Sequence, residues 1–181
     1  MAYRLWSFFA WFHPDGRRLV VNGRIKDAPY RFWSVDESGV FTETGPAGLD
    51  HWAGQVPLSN DGTLLAAFKS GQGGMTKTAA IYPLEGGGAP VPVTGLRPDE
   101  VVIRFAAGDR HLFVYDRDRL PAQIFTLDYR TGQRTLFREF APADPAGISG
   151  FGWIVMTPDG DVVAYNYTRA LGTVFQISGV K

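Results

Sequence analysis

Cysteine is absent from the 181 residues. That excludes a disulfide framework and any cysteine-based zinc site. The absence suits the cytoplasm, and equally an extracytoplasmic domain of a longer parent protein that does without disulfides. No charge is in excess, because 18 Lys+Arg balance 18 Asp+Glu. The chain therefore has no long-range field to draw in nucleic acid or an anionic membrane surface. No stretch approaches the roughly 18 consecutive apolar residues that a membrane span needs. Residues 1–12 are apolar but lack the basic start and small-residue cleavage site of a signal peptide. Helical periodicity is missing as well: no window sets apolar residues at i, i+3, i+4 and i+7 with helix formers between them.

What is present points to strands. Aromatics make up 14% of the chain, and such side chains suit a pleated, half-buried surface. The 22 Gly and 12 Pro supply turns for many short strands. One phrase recurs, an apolar strand, a tight turn and a second β-rich strand. It is Phe12-His13-Pro14-Asp15-Gly16 followed by Leu19-Val20-Val21. It returns at Leu58-Ser59-Asn60-Asp61-Gly62, more weakly at Ala106-Ala107-Gly108-Asp109, and again at Met156-Thr157-Pro158-Asp159-Gly160. The turn aspartates fall at 15, 61, 109 and 159. Self-similarity at this period signals propeller blades or a solenoid.

Each repeat divides into strands a to d. The first gives Ser7–Phe12, Arg18–Asn22, Tyr30–Val35 and Val40–Thr44. The second gives Gln55–Leu58, Leu64–Lys69, Thr78–Tyr82 and Val91–Val93, the last an outer edge because its prolines remove ladder donors. The third gives Val101–Phe105, Leu112–Tyr115, Gln123–Leu127 and Arg134–Phe137. The fourth gives Gly152–Met156, Val162–Tyr167 and Thr173–Ile177, without a strand d. The expected fold is all-β: one β-propeller domain of about four repeats of four antiparallel strands. Blades run over 7–48, 49–98, 99–148 and 149–181, with residues 1–6 as the strand that completes the last.

The repeat Phe12-x-Pro14-Asp15-Gly16-x-x-Leu19, followed by Tyr30-x-Phe32-Trp33-x-Val35-Asp36, resembles the TolB-type, WD-repeat-like β-propeller. Pro158-Asp159-Gly160 through Tyr165 matches equally well. The ending Val174–Lys181 resembles the last blade of propellers attached to bacterial receptor-type serine/threonine kinases. The resemblance implies a structural role for the Asp-Gly turns and a binding or scaffolding role for the domain. Members commonly carry six or more blades, so a four-bladed chain is expected to be an arc, half of an eight-bladed ring closed by homodimerisation, or else a ring closed on itself.

No catalytic, cofactor or metal site is expected. His13, His51 and His111 belong to different repeats and read as turn or surface residues rather than metal ligands. Gly147-Ile148-Ser149-Gly150-Phe151-Gly152 misses the nucleophile-elbow spacing and reads as a linker between blades. Ser70-Gly71-Gln72-Gly73-Gly74 lacks the ending of a phosphate loop. Asp36, Asp128 and Asp159 are isolated turn caps rather than a calcium cage. The tryptophans Trp6, Trp11, Trp33, Trp52 and Trp153 are expected in the core.

The candidate recognition surface is the loop face. In a propeller the b–c loops and d–a linkers emerge together, and here they carry Arg24, Lys26, Asp27, Trp52, Lys77, Arg97, Asp116, Arg117, Asp118, Arg119 and Arg169, with His51, Asp99 and Glu100 beside them. Charged and aromatic groups on loops of a rigid scaffold are the usual form of a binding surface. The expected function is non-enzymatic binding of a protein or peptide partner, with a self-assembling half-ring or an accessory domain of an enzyme as alternatives.

Overall fold

The structure, a computed structural model, describes residues 5–25, 28–51, 55–70, 77–85 and 87–172, and of residues 5–8, 25, 70 and 77 the backbone alone. The described residues form fourteen strands and no helix. The first blade is β1 (Leu5–Phe12), β2 (Leu19–Ile25), β3 (Arg31–Val35) and β4 (Phe41–Thr44). The second is β5 (Leu49–Asp50), β6 (Leu64–Ser70), β7 (Lys77–Pro83) and β8 (Val91–Pro92). The third is β9 (Glu100–Phe105), β10 (His111–Asp116), β11 (Ala122–Asp128) and β12 (Arg134–Phe140). The fourth holds β13 (Ile148–Met156) and β14 (Val163–Arg169). Each sheet is an antiparallel meander in sequence order. The expected outer strand Thr173–Ile177 and the kinase-like ending lie outside the described residues, as do residues 1–4. Leu5 and Trp6 continue β1 opposite Ile25 and Arg24 rather than starting a separate strand.

Two strands begin earlier than the sequence suggested. Leu49, fully buried, already pairs with Lys69, and the bridge Leu58 to Leu65 continues the same inner edge. Likewise Ile148 opens β13 opposite Arg169, so residues 148–152 are strand and not linker. In both places a glycine in the left-handed region, Gly48 and Gly147, ends the linker one residue before an apolar side chain turns inward.

The blades pack face to face around two apolar clusters. Val20 and Phe32 of the first blade meet Leu49, Leu58, Leu65 and Tyr82 of the second. A larger cluster runs from Ile81 through Val102, Phe105, Phe113 and Ile124 to Phe151, Ile154 and Met156. Strand β9 is therefore buried on both faces over Val101, Val102 and Ile103, as a strand between two packed layers must be.

The inner hairpin turns also join blade to blade. His13 Nε2 lies 3.1 Å from the Gly62 carbonyl, against a glycine with no side chain to block the ring. The Ala107 N–H donates to the Pro158 carbonyl at 2.8 Å. The half-buried Arg104 reaches in two directions, Nη1 to the Met156 carbonyl at 2.9 Å and Nη2 to Asn60 Oδ1 at 3.0 Å. Its burial lowers the guanidinium pKa from its ordinary value. In the third turn Gly108 takes the place held elsewhere by aspartate, and Asp109 takes the place of Gly16, Gly62 and Gly160.

Three expectations about side chains are corrected. His13 and His51 are buried, His51 boxed edge-on by Phe9 and Trp11 at 4.7 Å each. Trp153 is half-exposed rather than core, while Trp33 is buried. Asp36, Asp128 and Asp159 do cap their turns, each accepting a backbone N–H two residues on.

Candidate interaction surface

An up-and-down meander sends its a–b and c–d turns to one edge and its b–c loops and d–a linkers to the other. On the loop edge the third blade carries 116–121. Asp116 folds this loop on itself by accepting the Asp118 N–H at 3.0 Å. The loop is then fastened to the fourth blade. The Arg117 carbonyl accepts the Phe151 N–H at 3.1 Å, and the Tyr115 hydroxyl donates to the Gly152 carbonyl at 2.9 Å. Burial raises the Tyr115 phenol pKa, which keeps that proton in place. A side chain at Gly150 would meet the Arg117 carbonyl at 3.1 Å, so glycine lets the two backbones pass.

Arg169 closes β14 on the same edge. Its Nη1 donates to Asp144 Oδ2 at 3.0 Å, and the guanidinium stands 5.8 Å from the centre of the Tyr167 ring. Beside these groups opens a recess of about 610 Å³ lined by Leu120, Pro121, Glu139, Phe140, Ala141 and Pro145. Phe140 is held from behind by Phe151 at 5.3 Å and Tyr165 at 4.6 Å, while Leu120 is exposed. The result is an apolar recess with charged neighbours, the anatomy of a recognition surface.

The structure thus ties Arg117 to the fourth blade through its carbonyl, keeps Asp116 and Asp118 bonded to each other within the loop, and sets Arg119 next in the chain to Leu120 of the recess, with Arg169 on the same edge. Arg24 belongs to the first blade and lies over the Tyr30 ring at 5.3 Å. Arg97 is exposed in the linker to the third blade, with its N–H on Glu100 Oε2 at 3.0 Å. Lys26, Asp27 and Trp52 lie outside the described residues, as does the side chain of Lys77. Glu100 is corrected: it is buried in an ion pair with Arg134, whose guanidinium lies 4.3 Å from the centre of the Phe125 ring. His51 is likewise removed from the surface.

Sequence reasoning missed a second cavity, of about 830 Å³, on the turn edge between the first two blades. Ser34, Thr42 and Thr44 form one wall and Tyr82, Pro83 and Leu84 the other. The Thr44 hydroxyl donates to the Leu84 carbonyl at 2.9 Å, pinning the cleft at one point. The signal was available: hydroxyl residues occupy the inward alternate positions of β3 and β4, where an apolar face is usual.

No family model matches the sequence, and no curated protein matches it. Solved structures do. TolB from Acinetobacter baumannii superposes with a TM-score of 0.59 and 16% identity over 90% of this chain and 37% of that one. The fold is that of a TolB-like β-propeller. A TolB from Agrobacterium tumefaciens agrees, with a TM-score of 0.55 and 18% identity over 87% of this chain and 52% of that one. At these identities the likeness to TolB is one of fold. The chain spans between 37% and 52% of the length of these two TolB chains, so it is a partial TolB-like propeller. No helix among the described residues is long and apolar enough to cross a membrane.

Proposed function

We propose that this partial TolB-like propeller is a non-catalytic interaction module that takes a protein or peptide segment at the loop edge of its third and fourth blades. The observation that carries the reading is the recess at Leu120, Pro121 and Phe140, set beside a loop bonded to the next blade. Glu139 is the single ionisable side chain lining it, which offers binding rather than proton transfer. An apolar anchor side chain would fill the recess, and the flanking Asp118, Arg119 and Arg169 would select the charges around it. A second reading, a structural half-ring completed by pairing, is favoured by the exposed apolar residues of the two end blades.

Panning a displayed random-peptide library on the folded chain tests the module. Selected peptides should share a large apolar residue and lose at least tenfold in affinity on Leu120→Glu, while Arg24→Glu leaves them unaffected. Peptides that bind Leu120→Glu as well as the parent chain would refute the assignment.

A further inference from the structure

The inner strands of the four blades are equivalent, because each ends at the same turn bond: the N–H of Gly16, Gly62, Asp109 and Gly160 donates to the carbonyl of His13, Ser59, Ala106 and Thr157. The residue just before each turn can then be compared. Leu58, Phe105 and Met156 are 2%, 0% and 7% exposed, whereas Phe12 is 83% exposed. Three residues earlier the same contrast occurs at the other end of the row. Gln55 and Val102 are 3% and 1% exposed, whereas Trp153 is 50% exposed.

The two exceptions lie on opposite kinds of face. Alternation puts Phe12 on the side of its sheet turned away from the second blade, while Trp11 faces that blade and donates its indole N–H to the Gln55 carbonyl at 2.8 Å. Phe12 starts an apolar row that crosses the sheet through Leu19 and Val35 to the exposed Phe41. In β13, Phe151, Ile154 and Met156 are buried against the third blade, and Trp153 and Val155 point the other way. Wherever one blade follows another, a face of the Trp153 kind receives a face of the Phe12 kind. One such face of each kind is left open, so the described blades do not close on themselves.

We infer that two copies of this chain associate head to tail, the Trp153 and Val155 face of each receiving the Phe12 to Phe41 row of the other. The occupant follows from the fold: the surface that fits behind a fourth blade is another blade's leading row, and the chain carries one, exposed and apolar. Two such contacts close the pair and leave neither face open. This pairing is independent of the loop recess.

Light scattering on the purified chain at micromolar concentration should give twice the 19.9 kDa chain mass. Phe12→Asp and Trp153→Asp should each raise the dissociation constant at least tenfold with an unchanged far-ultraviolet spectrum, since both side chains are exposed within one chain. Val155→Asp serves if Trp153→Asp does not fold. Mixing Phe12→Asp with Trp153→Asp should restore association, because one of the two contacts is then intact; a face that packed on its own copy would not be restored. A monomeric parent chain, an open-ended series of larger species, or variants that pair like the parent would each overturn the inference.

Discussion

The carboxylate of Asp109 serves the turn of the preceding blade rather than its own. Oδ1 accepts the backbone N–H of Asn60 at 2.7 Å and its side-chain amide at 2.6 Å, and Oδ2 accepts the Asp61 N–H at 3.2 Å. Asp15, Asp61 and Asp159 instead accept N–H groups within their own turns. Asp109 can do otherwise because it sits at φ 57°, in the left-handed region its short polar side chain tolerates.

Removing that carboxylate leaves partly buried donors unpaired. Asp109→Ala should cost about 1–3 kcal/mol, and Asp109→Asn, which keeps an acceptor and tolerates the backbone, less than half as much. Urea denaturation of the three proteins decides it; equal losses for Ala and Asn would mean that a neutral acceptor does not replace the carboxylate in the link between turns.

Trp33 is buried beneath Arg31 and Phe41 on the face of the first blade turned away from the second, and its indole N–H has no hydrogen-bond partner. Trp33→Ala should therefore cost about 3–5 kcal/mol in lost packing. Trp33→Phe gives up some volume but also removes the unpaired donor, so its cost should be well under half of that. Thermal melts compare them, and a phenylalanine as damaging as alanine would show that the indole N–H is satisfied in solution.

Acid should loosen the turns in a defined window. Asp128 accepts the N–H groups of Thr131 and Arg130 and the Arg110 guanidinium, each at 3.0 Å. These bonds, that from Thr131 foremost, lower its pKa from 3.8 to about 2. Hydrogen bonds within their turns lower Asp15, Asp61 and Asp159 as well. Below its ordinary pKa the unfolded carboxylate binds a proton that the folded one still refuses. The stabilisation is thus complete above about pH 4 and lost as the pH falls toward 2. The urea midpoint should drop across that range, with a shallower slope for Asp128→Asn. An identical slope would place the acid sensitivity elsewhere.

Much of this architecture was legible because local chemistry fixes it. Proline or asparagine before Asp-Gly sets the first, second and fourth turns, and alternation sets the strands between them. The third turn was misaligned by one residue, since Gly108-Asp109 reverses the usual order and only the bond Asp109 N–H to Ala106 reveals the register. The linker ends were readable from a signal left unused: Pro46-Ala47-Gly48-Leu49 reappears as Pro145-Ala146-Gly147-Ile148. The recess was not readable. Leu120 and Phe140 are far apart in sequence, and the opposition of Ala122 to Phe140 in the ladder brings them together. Nor was the burial of Glu100, which depends on a distant Arg134 to neutralise it.

The links between neighbouring turns also fix an order of collapse. Within a single chain each of the middle blades is held from two sides and each end blade from one, so the work of opening is smallest at the ends and greatest around β10 and β11. A single chain built this way frays inward from both ends: at the fourth blade Arg104 loses its grip on Met156, and the centre yields last.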